Sequence, residues 1–203
     1  MSNIRDGVLV VEIGDTWTEL PTEPEGTDER IAQIIAEFHL DESAARRLDY
    51  SLRMVIAVAA NLPAGARRNY ALVPDPGSGS VQALLSLRVS RITPDAYDNY
   101  LAAARALESD DTLEVIRRSV DEVVLPAGRG VLSRDFTLER VTEGVPNPAL
   151  ERTFLALFPT DADSAVEFTL LTQNLALFAD AGEYLLALAA NENPSTSEER
   201  AHV

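Results

Sequence analysis

A serine-hydrolase site in this chain would have to use His39. The nucleophile would be a serine such as Ser78 or Ser80, with one of many carboxylates as the third member. His39 stands between two predicted helices. A polar ring at a helix C-terminus is favoured there by the free carbonyls and the helix dipole. No spacing in the sequence assembles the triad, so the preferred reading of His39 is structural and no catalytic residue is predicted. The other histidine, His202, sits in the polar C-terminal stretch.

Asp161 and Asp163 are spaced so that both can contact one hard cation, and Glu167 lies just downstream. The turn lacks the glycine that an EF-hand loop requires, and no further set of carboxylates completes a shell. These two residues are the candidate metal ligands; no metal and no cofactor is predicted. Gly77-Ser78-Gly79-Ser80 has the composition of a phosphate cradle, but it lies between two predicted strands, without the helix N-terminus that holds an anion. It reads as a hairpin loop. Gly128-Arg129-Gly130 also links strands, and its arginine is placed to meet an anion or to sit at a hairpin tip.

Trp17, Arg46 and Arg47 are the candidate partner-binding residues. Tryptophan is enriched at binding hot spots, though it more often anchors a core. The arginine pairs at 46–47, 67–68 and 117–118 are expected to pair with local carboxylates rather than build an anion site. Tyr97 and Tyr100 lie on one predicted helix stripe and are expected to be buried.

Chemistry is removed by what is absent. Lys+Arg total 17, and every one is arginine; there is no cysteine. Schiff-base lysines, phosphate-loop lysines, thiolate nucleophiles, disulfides and cysteine-ligated metals are excluded. The formal net charge of -16 disfavours nucleic acid and acidic membrane surfaces as partners. Carboxylates are abundant enough for a glycosidase-like acid pair, but nothing places two of them across a cleft.

The elements that would position these residues follow from periodicity. Residues 8–13 read as a first strand. Thr27 or Asp28 can cap a helix carrying Ile31, Ile34, Ile35 and Phe38, and Asp41 can cap a second, with Leu48, Leu52, Val55, Ile56 and Ala59 on one face. Residues 28–60 thus predict a helical hairpin. Residues 68–73 and 81–91 predict strands around a turn. In the second, Leu85, Leu87 and Val89 face one way and Ser86, Arg88 and Ser90 the other. Thr93-Pro94-Asp95 opens a helix striped by Tyr97, Tyr100, Leu101 and Ala104. Residues 112–118 predict a further helical turn. Strands follow at 120–125, 131–141, 152–158 and 165–172, joined by links too short for parallel crossovers. Asn174 is read as the cap of a closing helix over 175–190, and 191–203 as a disordered acidic tail.

This order predicts a single α+β domain over residues 1–190: an antiparallel sheet of about six or seven strands packed by helices. It resembles the PsbP-like sandwich family, which includes actinobacterial lipoproteins of the LpqN type. The likeness rests on Trp17…Leu20-Pro21, the hairpin near 73–81, the helix at 95–107, the late meander, and Glu167-Phe168-Thr169-Leu170-Leu171-Thr172-Gln173-Asn174 leading to a final helix. The hairpin 28–60 is an N-terminal insertion relative to that pattern. The resemblance implies a non-catalytic binding or accessory domain, linked to bacterial secretion or envelope biology, and carries over no catalytic residues.

The expected function is a non-enzymatic protein-interaction module with an acidic surface and a protein partner. The alternatives are a carboxylate- or metal-dependent hydrolase, or a structural subunit of a homo-oligomer. The N-terminus lacks the apolar run of a signal peptide, and no stretch has the length of a membrane helix; these predict a cytoplasmic protein.

Overall fold

The computed structural model describes residues 4–5, 8–9, 11, 13–63, 65–106, 113–139, 149–160 and 162–190. It has an α+β fold: an open antiparallel sheet of seven strands with helices packed on it. In chain order the elements are β1 (Ile4–Arg5), β2 (Val8–Leu9), β3 (Trp17–Leu20), α1 (Thr27–Glu37), α2 (Glu42–Ala60), β4 (Ala66–Leu72), β5 (Ala83–Arg91), α3 (Ala96–Ala106), β6 (Leu113–Leu125), β7 (Gly128–Glu139), β8 (Ala149–Pro159), β9 (Ser164–Thr172) and α4 (Ala181–Ala190). β1 and β2 pair only with each other. The large sheet runs β3-β4-β5-β9-β8-β7-β6.

Two meanders make this sheet, β3-β4-β5 and β6-β7-β8-β9. They join where β9 pairs with β5, from Ala83 opposite Thr172 to Arg91 opposite Ser164. Antiparallel pairing puts directly opposed residues on the same face. One face therefore carries Trp17, Tyr70, Leu72, Leu85, Phe168, Leu170, Leu155 and Leu132, covered by Leu177, Phe178 and the Tyr184, Leu185 and Leu188 side of α4. The other face is covered twice. The α1–α2 hairpin seals one end, with Ile31, Ile34, Leu48 and Leu52 on Leu20, Ala71, Leu84 and Leu171. At the opposite end, Tyr97 and Leu101 of α3 pack on Val131, Ala156, Phe158 and Ala165.

Local chemistry explains the boundaries. Asp41 caps α2 as expected, accepting from the Ala44 N–H at 2.8 Å. α1 differs: Gly26 is its N-cap, in the left-handed region, and the Thr27 hydroxyl donates backwards to the Glu23 carbonyl. The first strand of the main sheet is Trp17–Leu20, not 8–13. Its four residues are too few to alternate visibly, yet Trp17 reaches one core and Leu20 the other. Residues 113–118 are strand, not a helical turn. They extend β6 along β7, with a bulge between Val115 and Arg117 that breaks the alternation. The closing helix starts at Ala181, not 175. The Asn174 side chain accepts from the Ala176 N–H and closes a local turn, while Asp180 accepts from the Glu183 N–H. The expected tail, 191–203, lies outside the described residues.

Gly128 is required by close approach. A Cβ there would stand 2.2 Å from the Phe158 carbonyl oxygen on β8. Replacing Gly128 with Ala is expected to destabilise the protein by more than about 1 kcal/mol in urea unfolding, because strand backbone has to move. Fluorescence of Trp17, the sole tryptophan, reads the transition.

Candidate functional site

On the doubly covered face, the two helical units leave a band of sheet between them. Its middle is a cross-strand row of Asn69, Ser86, Thr169, Phe154 and Ser133, in which all but Phe154 are small and polar. Two residues along the strands on one side lie Arg88 and Glu167; two residues along on the other lie Arg152, Asp135 and Arg118. At about 3.3 Å per residue, these charged rows are roughly 13 Å apart along the strand direction. The band is the floor of a cleft of about 420 Å³, walled by Leu62 and Pro63 after α2 and by Tyr100, Ala103 and Ala104 of α3. That volume is within the ordinary range for small-molecule sites.

The charged groups are organised. Arg88 Nη2 donates to both Glu167 carboxylate oxygens at 2.6 Å, and the Ser90 hydroxyl donates to Oε1. Asp135 has a side chain with no solvent exposure. Arg118 grips both of its oxygens through Nε and Nη2, and also donates from Nη1 to the Ala104 carbonyl, which ties β6 to α3. Arg152 donates from Nη2 to Asp135 Oδ2 at 3.2 Å, while its Nε is buried without an acceptor. Among the described residues, three guanidiniums thus face two carboxylates.

Above the floor stands the Tyr100 phenol. Burial, and then the nearby Glu167 carboxylate, push its ionisation well above the ordinary phenol range. It is a protonated hydroxyl at neutral pH. No hydrogen bond to a described residue engages the hydroxyls of Tyr100, Ser86, Ser133 or Thr169.

Of the residues singled out from the sequence, Tyr100, Arg118 and Glu167 belong to the cleft and the others lie elsewhere. Trp17 is a core anchor, buried and donating its indole N–H to the Tyr184 hydroxyl at 2.8 Å. Arg47 donates to the Gly77 and Ser78 carbonyls and, with Ser51, holds the β4–β5 turn against α2. Gly79 in that turn has φ +73, and a Cβ would meet the Arg47 side chain. Gly77-Ser78-Gly79-Ser80 is thus a clamped turn between strands. Arg46 is exposed and paired with Glu42. His39 is exposed at the end of α1, with left-handed backbone and its ring nitrogen 2.9 Å from the Ala36 carbonyl. Arg129 lies over the Tyr97 ring. Arg67 donates to the Leu62 carbonyl, Arg68 lies near Glu19, and Arg118 belongs to the cleft, so the four arginines at 67–68 and 117–118 do not converge. Asp163 is exposed, and Asp161 lies outside the described residues. Among the described residues no three His, Cys, Asp or Glu side chains converge on a metal position, and no helix is long and apolar enough to cross a membrane.

Compared with known proteins, the chain matches no family model and no curated protein.

The polar face of β5, with Ser86 and Arg88, is visible in the sequence. What the sequence does not display is that this face shares one side of the sheet with the polar faces of β7 and β9, because the β5–β9 pairing is not written in any local pattern.

On the opposite face, Glu151 is buried near Arg134 and Asp180. Burial, and then the charge of Asp180, raise its pKa. The folded state therefore holds this proton more tightly than the unfolded chain. Its stabilising contribution is complete below about pH 4 and is lost as pH rises through the folded value. Glu151→Gln is expected to be more stable than the parent at pH 7 and to lose less stability between pH 4 and 7, measured by thermal unfolding across that range. In the cleft, Asp135→Ala strands two part-buried guanidiniums and is expected to cost about 3 kcal/mol, read by urea unfolding. Arg46→Ala, at an exposed pair, is expected to change nothing measurable.

Proposed function

We propose that this chain is a non-catalytic binding module whose ligand site is the cleft between α2 and α3. The observation that carries the reading is the floor itself: uncommitted hydroxyls between two ordered ion-pair groups, in a cavity of ligand size. The chemistry favours binding over turnover. The chain has no thiol and no lysine, and its one histidine among the described residues is engaged at the end of α1. Asp135 and Glu167 are held by arginines, so neither stands as a free general base. The resemblance to PsbP-like domains supports the same non-catalytic, accessory role.

A second observation favours a protein partner as well. Tyr50, Met54 and Val58 recur every fourth residue on α2 and are 67%, 50% and 45% exposed. One helix face therefore presents a large apolar row to solvent. With a net charge of -16, the partner this surface fits is a basic protein offering an apolar patch with a cationic surround.

The ligand reading is tested by screening a small-molecule fragment set of mixed charge against the labelled protein by NMR. Hits are expected to move the amides of Ser86, Ser133 and Thr169. Ala103→Phe, placed at the exposed rim, is expected to abolish them while leaving the fold intact. A screen in which no fragment moves those amides overturns the reading. For the partner surface, Met54→Glu is expected to weaken capture of basic proteins at low salt. Capture unchanged by that substitution, or a stable dimer by light scattering that Met54→Glu dissolves, argues against a basic partner there.

A further inference from the structure

We infer that the cleft selects a small monocarboxylate with an apolar body, and that Arg152 is the residue that receives the carboxylate. This rests on the cleft being a ligand site, as proposed above.

The argument begins with charge. The protein is strongly acidic, yet this cavity holds Arg88, Arg118 and Arg152 against Asp135 and Glu167. Among the described residues that leaves a surplus of one positive charge, and it can be localised. Arg88 is matched by Glu167, with both carboxylate oxygens on one guanidinium nitrogen. Arg118 is matched by Asp135 on both oxygens. Among the described residues Arg152 has only a shared contact, to an oxygen that Arg118 already holds, and its side chain is 20% exposed in the cleft. A guanidinium offers five donors in a planar fork suited to a carboxylate. A ligand carboxylate in the cleft meets the donors of this guanidinium that Asp135 does not hold.

The size of the surplus sets the ligand's charge. One carboxylate neutralises the cleft. A phosphate dianion would leave an excess negative charge beside the Asp135 and Glu167 carboxylates, in a protein already far from neutral.

The rest of the cavity describes the remainder of the ligand. Leu62, Pro63, Ala103 and the Phe154 ring offer apolar surface. Phe154 neighbours Arg152, whose guanidinium carbon lies 5.7 Å from the ring centroid. An aromatic or short aliphatic body beside the carboxylate fits this arrangement, with Ser133 and Tyr100 hydroxyls available to its polar substituents.

The test uses the full chain with four probes: benzoate, benzamide, hexanoate and inorganic phosphate. Affinities are read by calorimetry and sites by NMR. Benzoate and hexanoate are expected to bind in the cleft at least tenfold more tightly than benzamide or phosphate. Arg152→Gln is expected to remove that preference. Arg88→Gln, which disturbs a matched pair, is expected to lower benzoate affinity less and keeps the comparison available if Arg152→Gln folds poorly. Equal binding of benzoate and benzamide, tighter binding of phosphate, or undiminished benzoate binding by Arg152→Gln overturns the inference. Neutral fragments that occupy the cleft with no carboxylate preference defeat this ligand class but leave the cleft as a binding site. Absence of every ligand from the cleft defeats both.

Discussion

Both faces of a wide sheet need cover, and the way four helices meet that need determines most of this molecule. One face is uniformly apolar in its centre and is closed by α4 and the Leu177–Phe178 turn before it. The other receives two separate helical units, because the chain adds them in different connections. The α1–α2 hairpin enters between β3 and β4, while α3 lies in the connection that carries the chain from β5 to the far edge at β6. Neither unit is wide enough to reach the other. The strip between them floors the cleft and is mostly polar: Ser86 and Ser133, which are buried, and the partly exposed Thr169, flanked by ion pairs.

Those ion pairs do structural as well as chemical duty. A carboxylate as inaccessible as Asp135 is tolerable only when paired and hydrogen-bonded. Arg118 meets that condition and also reaches the Ala104 carbonyl, so the same guanidinium fixes the cleft floor and the helix that forms its wall. The opposite wall is set by Leu62 and Pro63 at the end of α2, and the Leu62 carbonyl accepts from Arg67 of β4. The cleft therefore has walls tied to its floor by hydrogen bonds from both sides. This is the arrangement expected of a preorganised site, in which little ordering remains to be done when a ligand enters.

Much of the fold was legible from local pattern. The helical hairpin, the α3 stripe and the strand alternations of β5, β7 and β9 depend on spacing alone, and spacing is what a sequence displays. The failures have physical causes. Trp17–Leu20 is too short to show a period. The bulge near Ile116 interrupts the alternation of β6, so its first residues resemble a helical turn. Asn174 and Asp180 are both competent caps, and only tertiary packing of Leu177 and Phe178 decides between them. The cleft was the least legible part. Ser86, Arg88, Ser133 and Asp135 read as the solvated sides of separate strands. Their convergence depends on which strands become neighbours, and that is decided by the long-range pairing of β5 with β9 rather than by any short motif. Trp17 and Arg47 drew attention by residue type, yet their partners, Tyr184 and the Gly77 and Ser78 carbonyls, commit them to holding the fold.

The absence of cysteine permits a direct measurement of whether the polar strip is open. A single Thr169→Cys substitution places one thiol at the partly exposed centre of the cleft floor, and Thr153→Cys places one on the opposite face, where the side chain has no exposure. Reaction with a small thiol reagent is followed under native conditions as the rate of global unfolding is varied with urea. The account predicts that the thiol at position 169 reacts far faster than the protein unfolds, while that at 153 reacts only through unfolding. Equal protection of the two thiols, both limited by global unfolding, would contradict it and would mean that α2 and α3 close over the strip.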